Sequence, residues 1–114
     1  MNLNKSIKDL NVKVNSIKIK SKITTKDLNF IDSKILEIRN FIKDKKTNED
    51  TNRIITSVLI NTVRTVLSSP TTNNNDFKMK KKFLSETPDI LNIDSKYYPK
   101  SYTKRFINSH QNFF

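Results

Sequence analysis

The chain has no cysteine, no glycine and no alanine among its 114 residues. Without cysteine there is no disulfide framework, no thiolate nucleophile and no cysteine-based zinc site. The lone His110 cannot build a histidine-rich metal site, so neither a metal nor another cofactor is expected. Without glycine there is no phosphate-binding P-loop, no dinucleotide-binding G-x-G-x-x-G and no nucleophile elbow. Each of those turns needs backbone conformations or close approaches that a Cβ obstructs. Long apolar runs are also missing. The longest, residues 54–67, is interrupted by Asn61 and Arg64 and is too short to cross a bilayer, so no transmembrane segment is expected. Only 34% of the residues are hydrophobic, which limits the chain to one domain with a small core.

Folding physics does not explain the missing residues, because alanine is the best helix former and glycine the usual residue just past a helix end. Lys, Asn and Ile together make up 47 of the 114 residues. Their codons are AT-rich, whereas those of glycine and alanine are GC-rich. The composition therefore points to mutational bias toward AT. An organellar genome, mitochondrial first, is the expected source, with an AT-rich parasite or virus as the alternative. The same bias accounts for the preference for Lys over Arg. The first 23 residues carry six lysines but no arginine and no apolar run, so no targeting peptide is expected.

What the chain has in excess is positive charge: 22 bases against 11 acids, a formal net charge of +11. Such an excess favours a polyanionic partner, because neutralising phosphates releases condensed counterions. The charge is uneven. Residues 1–23 hold six lysines and one acid, and residues 77–114 hold eight bases and three acids. Between them, residues 24–50 balance six bases with six acids.

The balanced middle reads as helical. Leu28, Ile31, Ile35, Ile38 and Ile42 share one helix face, and Thr24 with Asp27 resembles a capping box. A helix is predicted over about 25–45, with Phe30 and Phe41 off the main stripe. A polar connector follows, in which Asp50 or Thr51 is the expected cap. Ile54, Ile55, Val58, Leu59, Val63, Val66 and Leu67 then predict a second helix over 51–68 that ends before Pro70, despite many β-branched residues. The two stripes together predict an antiparallel helical hairpin.

The N-terminal segment shows a period of two instead. Val12 and Val14 alternate with polar residues, as do Ile17 and Ile19, so a turn at Asn15–Ser16 allows a β-hairpin with Lys13, Lys18 and Lys20 on its other face. The alternative is an extended basic arm. Beyond Pro70 a polar loop at 71–76 leads into Phe77–Leu84, where Lys78, Lys80, Lys81 and Lys82 lie between aromatics. Pro88 suggests a short helix start. The last residues interleave Tyr97, Tyr98, Tyr102 and Phe106 with Lys100, Lys104 and Arg105, a combination suited to stacking unpaired bases while cations hold the backbone. Phe113 and Phe114 fit a groove on a protein better.

The expected fold is thus mainly α. A helical hairpin spans 24–70, a basic arm or β-hairpin spans 1–23, and a basic aromatic extension spans 71–114. The acids Asp27, Asp32, Glu37 and Asp44 alternate with bases, the pattern of an ion-paired helix face and not of a sheltered catalytic pair. No enzymatic role and no small-molecule substrate are expected. The second helix carries only Arg53 and Arg64, too little for a DNA recognition helix. The function expected is that of a structural RNA-binding protein, a small component of a mitochondrial ribosome alongside neighbouring proteins. Lys13, Lys18, Lys20, Lys22, Lys78, Lys80, Lys81, Lys82, Lys100, Lys104 and Arg105 are the expected phosphate contacts. Tyr97, Tyr98, Tyr102 and Phe106 are the expected stacking or docking aromatics. The alternative is a non-catalytic accessory subunit of a large mitochondrial assembly, a respiratory complex or ATP synthase.

Overall fold

A computed structural model describes residues 3–44 and 48–86. The described residues form four helices, α1 (Leu3–Lys20), α2 (Thr25–Asp44), α3 (Glu49–Ser68) and α4 (Asn74–Ser85), and no strand. The mainly helical class is as the sequence predicts; the first and last of the four helices are not.

Residues 3–20 form neither the β-hairpin nor the extended arm that the alternation at 12–19 suggests. Leu3, Ile7, Leu10, Val14 and Ile17 recur at intervals of four, three, four and three, and they set one face of α1 into the core. Leu10, Val14 and Ile17 are fully buried. Val12 and Ile19, which a strand would place beside Val14 and Ile17, stay 61% and 86% exposed. The helix wins because it satisfies its own backbone and docks five apolar side chains, whereas an isolated two-stranded ribbon is marginal in water.

α1 ends at Ser21, whose backbone is left-handed (φ 54°) and whose N–H donates to the Ile17 carbonyl at 2.9 Å. Glycine usually fills this position because a Cβ costs about 1 kcal/mol there. Replacing Ser21 by Gly is therefore expected to raise the denaturant midpoint, by up to about 1 kcal/mol in stability. An unchanged or lower midpoint would show that Ser21 carries no such strain.

α2 begins with the capping box expected. The Thr24 hydroxyl accepts from the Asp27 N–H at 3.2 Å, and the Asp27 carboxylate accepts from the Thr24 N–H at 3.1 Å. α3 is capped by Asn48, two to three residues ahead of the expected Asp50 or Thr51, through a bond from the Thr51 N–H to its side chain at 2.7 Å. Burial overrides the low helix propensity of its β-branched residues. Its buried threonines return their hydroxyl protons to the preceding turn: Thr56 to the Asn52 carbonyl at 2.8 Å, Thr62 to Val58 at 2.7 Å. The polar loop expected at 71–76 is shorter than predicted, because Asn73 accepts from the Asp76 N–H at 2.8 Å and starts α4. Phe83 and Leu84 then enter the same core as α1, α2 and α3. The core therefore draws on residues outside 24–70.

The contacts fix the directions of the helices. Lys20 and Lys13 meet Asp27, Asp9 meets Lys34, and Ser6 meets Glu37, so α1 and α2 run antiparallel. At the opposite end from Ser6, the Thr25 N–H and hydroxyl donate to Asp76 at 2.8 and 2.7 Å, and the Ile23 N–H donates to the Pro70 carbonyl at 2.9 Å. α2 and α4 thus start at the same end. α1 packs against α2 and α3, and α4 packs against the same two. Around the bundle the order is α1, α2, α4, α3, which puts α1 and α4 on opposite sides. The two helices of the predicted hairpin supply most of the core, but each packs chiefly against α1 and α4, because both carry apolar faces of their own.

Candidate nucleic-acid interface

Helix formation sorts the lysines of the 78–82 run. Lys80 turns inward, and its ammonium donates to the carbonyls of Leu67 at 3.2 Å and Ser69 at 2.8 Å, at the C-terminal end of α3. Those carbonyls lack partners within their own helix, so Lys80 serves as a cap supplied from α4. Burial pushes its pKa down. Lys78, Lys81 and Lys82 point outward and are exposed. Phe77 is half exposed on the same helix, with the Lys81 ammonium 5.4 Å from its ring centre.

The N-terminal lysines divide similarly. Lys13 and Lys20 both reach the Asp27 carboxylate, at 3.2 and 2.5 Å. Burial pushes the Asp27 pKa up, but Lys20, the Thr24 N–H, Lys13 and the Thr24 hydroxyl together outweigh that and hold it at about 2. Lys13 also lies 5.0 Å from the Phe30 ring centre, with Lys34 at 5.4 Å. Phe30, off the main stripe, therefore faces α1. Lys18 is exposed and donates to the Asn61 side chain at 3.1 Å, and Lys22 is exposed in the linker after α1. Of the expected phosphate contacts, Lys13, Lys20 and Lys80 are thus engaged inside the fold, while Lys18, Lys22, Lys78, Lys81 and Lys82 are exposed.

Lys5 and Lys8 are two exposed cations that the β reading passed over. They flank Val12 and Ile19 on the face of α1 opposite the buried stripe. Reading Leu3, Ile7 and Leu10 together with Val14 and Ile17 places them there. Lys100, Lys104, Arg105, Tyr97, Tyr98, Tyr102, Phe106, Phe113 and Phe114 lie outside the described residues, as does the start expected at Pro88.

Most of the described acids are engaged within the fold, whereas Asp32, Asp50 and Glu86 are exposed. Asp9 and Glu37 both pair with Lys34, at 3.3 and 3.2 Å, and Glu37 also accepts from the Ser6 hydroxyl at 2.9 Å, which holds its pKa low. Asp76 is held low by the Thr25 hydroxyl and N–H. Glu49 pairs with Arg53 at 2.7 Å on the surface of α3. Among the described residues no group of His, Cys, Asp or Glu is placed to hold a metal ion, and no helix is long and apolar enough to cross a membrane. Comparison with protein-family models, with curated proteins and with solved structures returns no match.

Proposed function

We propose that this chain is a structural RNA-binding protein, a small component of an organellar ribosome, in which the bundle is a scaffold for outward-facing lysines. One observation carries the reading. The lysines used to build the fold (Lys13, Lys20, Lys34 and Lys80) are distinct from those on its surface (Lys5, Lys8, Lys22, Lys78, Lys81 and Lys82). The acids of α1 and α4 are turned away from this set, Asp9 to Lys34 and Asp76 to Thr25, while Lys82 lies within electrostatic reach of Asp32 on α2. Lysine suits phosphate as a point charge without base selectivity, which fits structural binding to a folded RNA. The organellar setting rests on the AT-driven composition.

A salt titration of RNA binding by the full chain tests the reading. Affinity is expected to fall steeply with salt, and replacing Lys78, Lys81 and Lys82 together by Gln is expected to make the log–log slope shallower by roughly 2. The same replacement leaves stability within about 0.5 kcal/mol, as for surface positions generally. Lys80→Ala is expected to do the reverse, lowering stability by about 1 kcal/mol while leaving the slope unchanged. An RNA affinity independent of salt, or equal effects of both variants on the slope, would defeat the assignment.

The exposure of Val12 and Ile19 favours a second reading, an accessory subunit docked through α1 onto a large protein assembly such as a respiratory complex or ATP synthase. That reading predicts that Ile19→Asp releases the chain from its complex, whereas loss of Lys78, Lys81 and Lys82 does not.

A further inference from the structure

Among the described residues, the positive charge of the first and last helices is not gathered into one patch. α1 carries five lysines and one acid, and α4 carries four lysines and one acid. α2 and α3 each carry as many acids as bases. Because α1 and α4 both pack between α2 and α3, their outer faces point away from each other across the core. Lys5 and Lys8 lie on the α1 side, and Lys22 is exposed in the linker after it; Lys78, Lys81 and Lys82 lie on the α4 side. On the flanks between them, Glu49 pairs with Arg53 on α3 and Lys34 of α2 meets Asp9 and Glu37, while Lys26, Arg39 and Lys43 of α2 are exposed alongside Asp32.

We infer that the chain is bivalent for RNA: it holds two separate backbone segments at once, one on the α1 face and one on the α4 face, and so acts as a cross-brace. The inference rests on the RNA-binding reading above and adds the geometry. Facing helix axes in a four-helix arrangement lie roughly 12–14 Å apart, given 8–10 Å between neighbours. A single phosphate backbone in contact with Lys78, Lys81 and Lys82 therefore has to wrap around a flank of the bundle to reach Lys5 and Lys8. Two backbones meet both faces without bending. Each face supplies only a few charges, so either alone binds weakly, and firm retention comes from engaging both within one folded RNA.

The test is a sandwich capture. A short single-stranded RNA of mixed sequence is immobilised at low salt, the full chain is kept at saturating concentration, and a second, fluorescent RNA is added without an intervening wash. The wild-type chain is expected to capture the second RNA. The α1 triple variant (Lys5→Gln, Lys8→Gln, Lys22→Gln) and the α4 triple variant (Lys78→Gln, Lys81→Gln, Lys82→Gln) are each expected to bind the first RNA but to capture at least tenfold less of the second. Circular dichroism confirms that each remains helical, as expected for substitutions on exposed positions. Binding of the first RNA with no capture of the second by the wild-type chain overturns bivalence and leaves the RNA reading standing. Undiminished capture by either triple variant also overturns it, because bridging would then come from self-association or from other residues. Failure of the wild-type chain to bind the first RNA sinks the RNA reading itself.

Discussion

Replacing Asp27 by Asn is expected to destabilise the fold by about 3 kcal/mol, a drop in Tm of roughly 12–24 °C for a domain of this size. Its contacts tie α1 to the start of α2. Its carboxylate accepts from the Thr24 N–H at the start of α2 and pairs with Lys13 and Lys20 of α1, while being almost fully buried. Asparagine keeps a cap acceptor but loses the charge that compensates two lysines. The pH dependence follows from the same contacts. The folded pKa of about 2 lies below the ordinary value of 3.8. A group with a depressed folded pKa contributes stability that is fully present above its unfolded value and is lost as pH falls through the folded one. The wild-type chain is therefore expected to lose about 2 kcal/mol between about pH 4 and pH 2 through this carboxylate alone. The Asn variant lacks that component, so the gap between the two proteins narrows toward pH 2. Parallel unfolding curves with a constant gap would show that the Asp27 charge does not provide the stabilisation.

Leu10→Ala is expected to cost about 3 kcal/mol, from the lost transfer free energy and the cavity left where α1 meets α2 and α3. The effect is largest when set against its neighbours. Val14→Ala, at a fully buried position, is expected to cost about 2 kcal/mol. Val12→Ala, at a site 61% exposed, is expected to stay within about 0.5 kcal/mol of wild type. A β-ribbon, which places Val12 and Val14 on one face, predicts similar costs for both. Urea denaturation of the three variants decides between the helix and the ribbon, and comparable losses for Val12→Ala and Val14→Ala would contradict α1.

The parts of the fold that were legible in the sequence are those set by local chemistry. The capping box of Thr24 and Asp27 and the stripe from Leu28 to Ile42 fix α2 within one residue of its observed limits, since both signals lie within the helix itself. α1 was obscured because Val12, Val14, Ile17 and Ile19 satisfy a period of two. Only the inclusion of Leu3, Ile7 and Leu10 shows that the longer run has a helical period. α4 was obscured by composition: three asparagines and a lysine run hide the apolar contacts at Met79, Phe83 and Leu84. The cap from Asn73 to Asp76 was the available signal.

The lysines were harder to read, for a different reason. Whether a lysine is a phosphate contact or a structural tie depends on what lies opposite it after folding. Lys80 differs from Lys81 by one position, yet it caps α3 while its neighbour faces solvent. Lys13 and Lys20 are no different in sequence from Lys5 and Lys8, and only the docking of α1 on α2 brings the first two to Asp27. Overall charge, by contrast, needs no fold to be read. That is why a polyanionic partner can be proposed from the sequence alone, while which lysines are exposed is read from the structure.

Fractionation of the native protein on a density gradient, with and without ribonuclease, tests the central claim most directly. Comigration with ribosomal RNA that is lost on ribonuclease treatment, and is weakened by high salt, is the result predicted. Comigration with a large complex that resists ribonuclease would contradict it and would make the exposed Val12 and Ile19 face of α1 the interface to map.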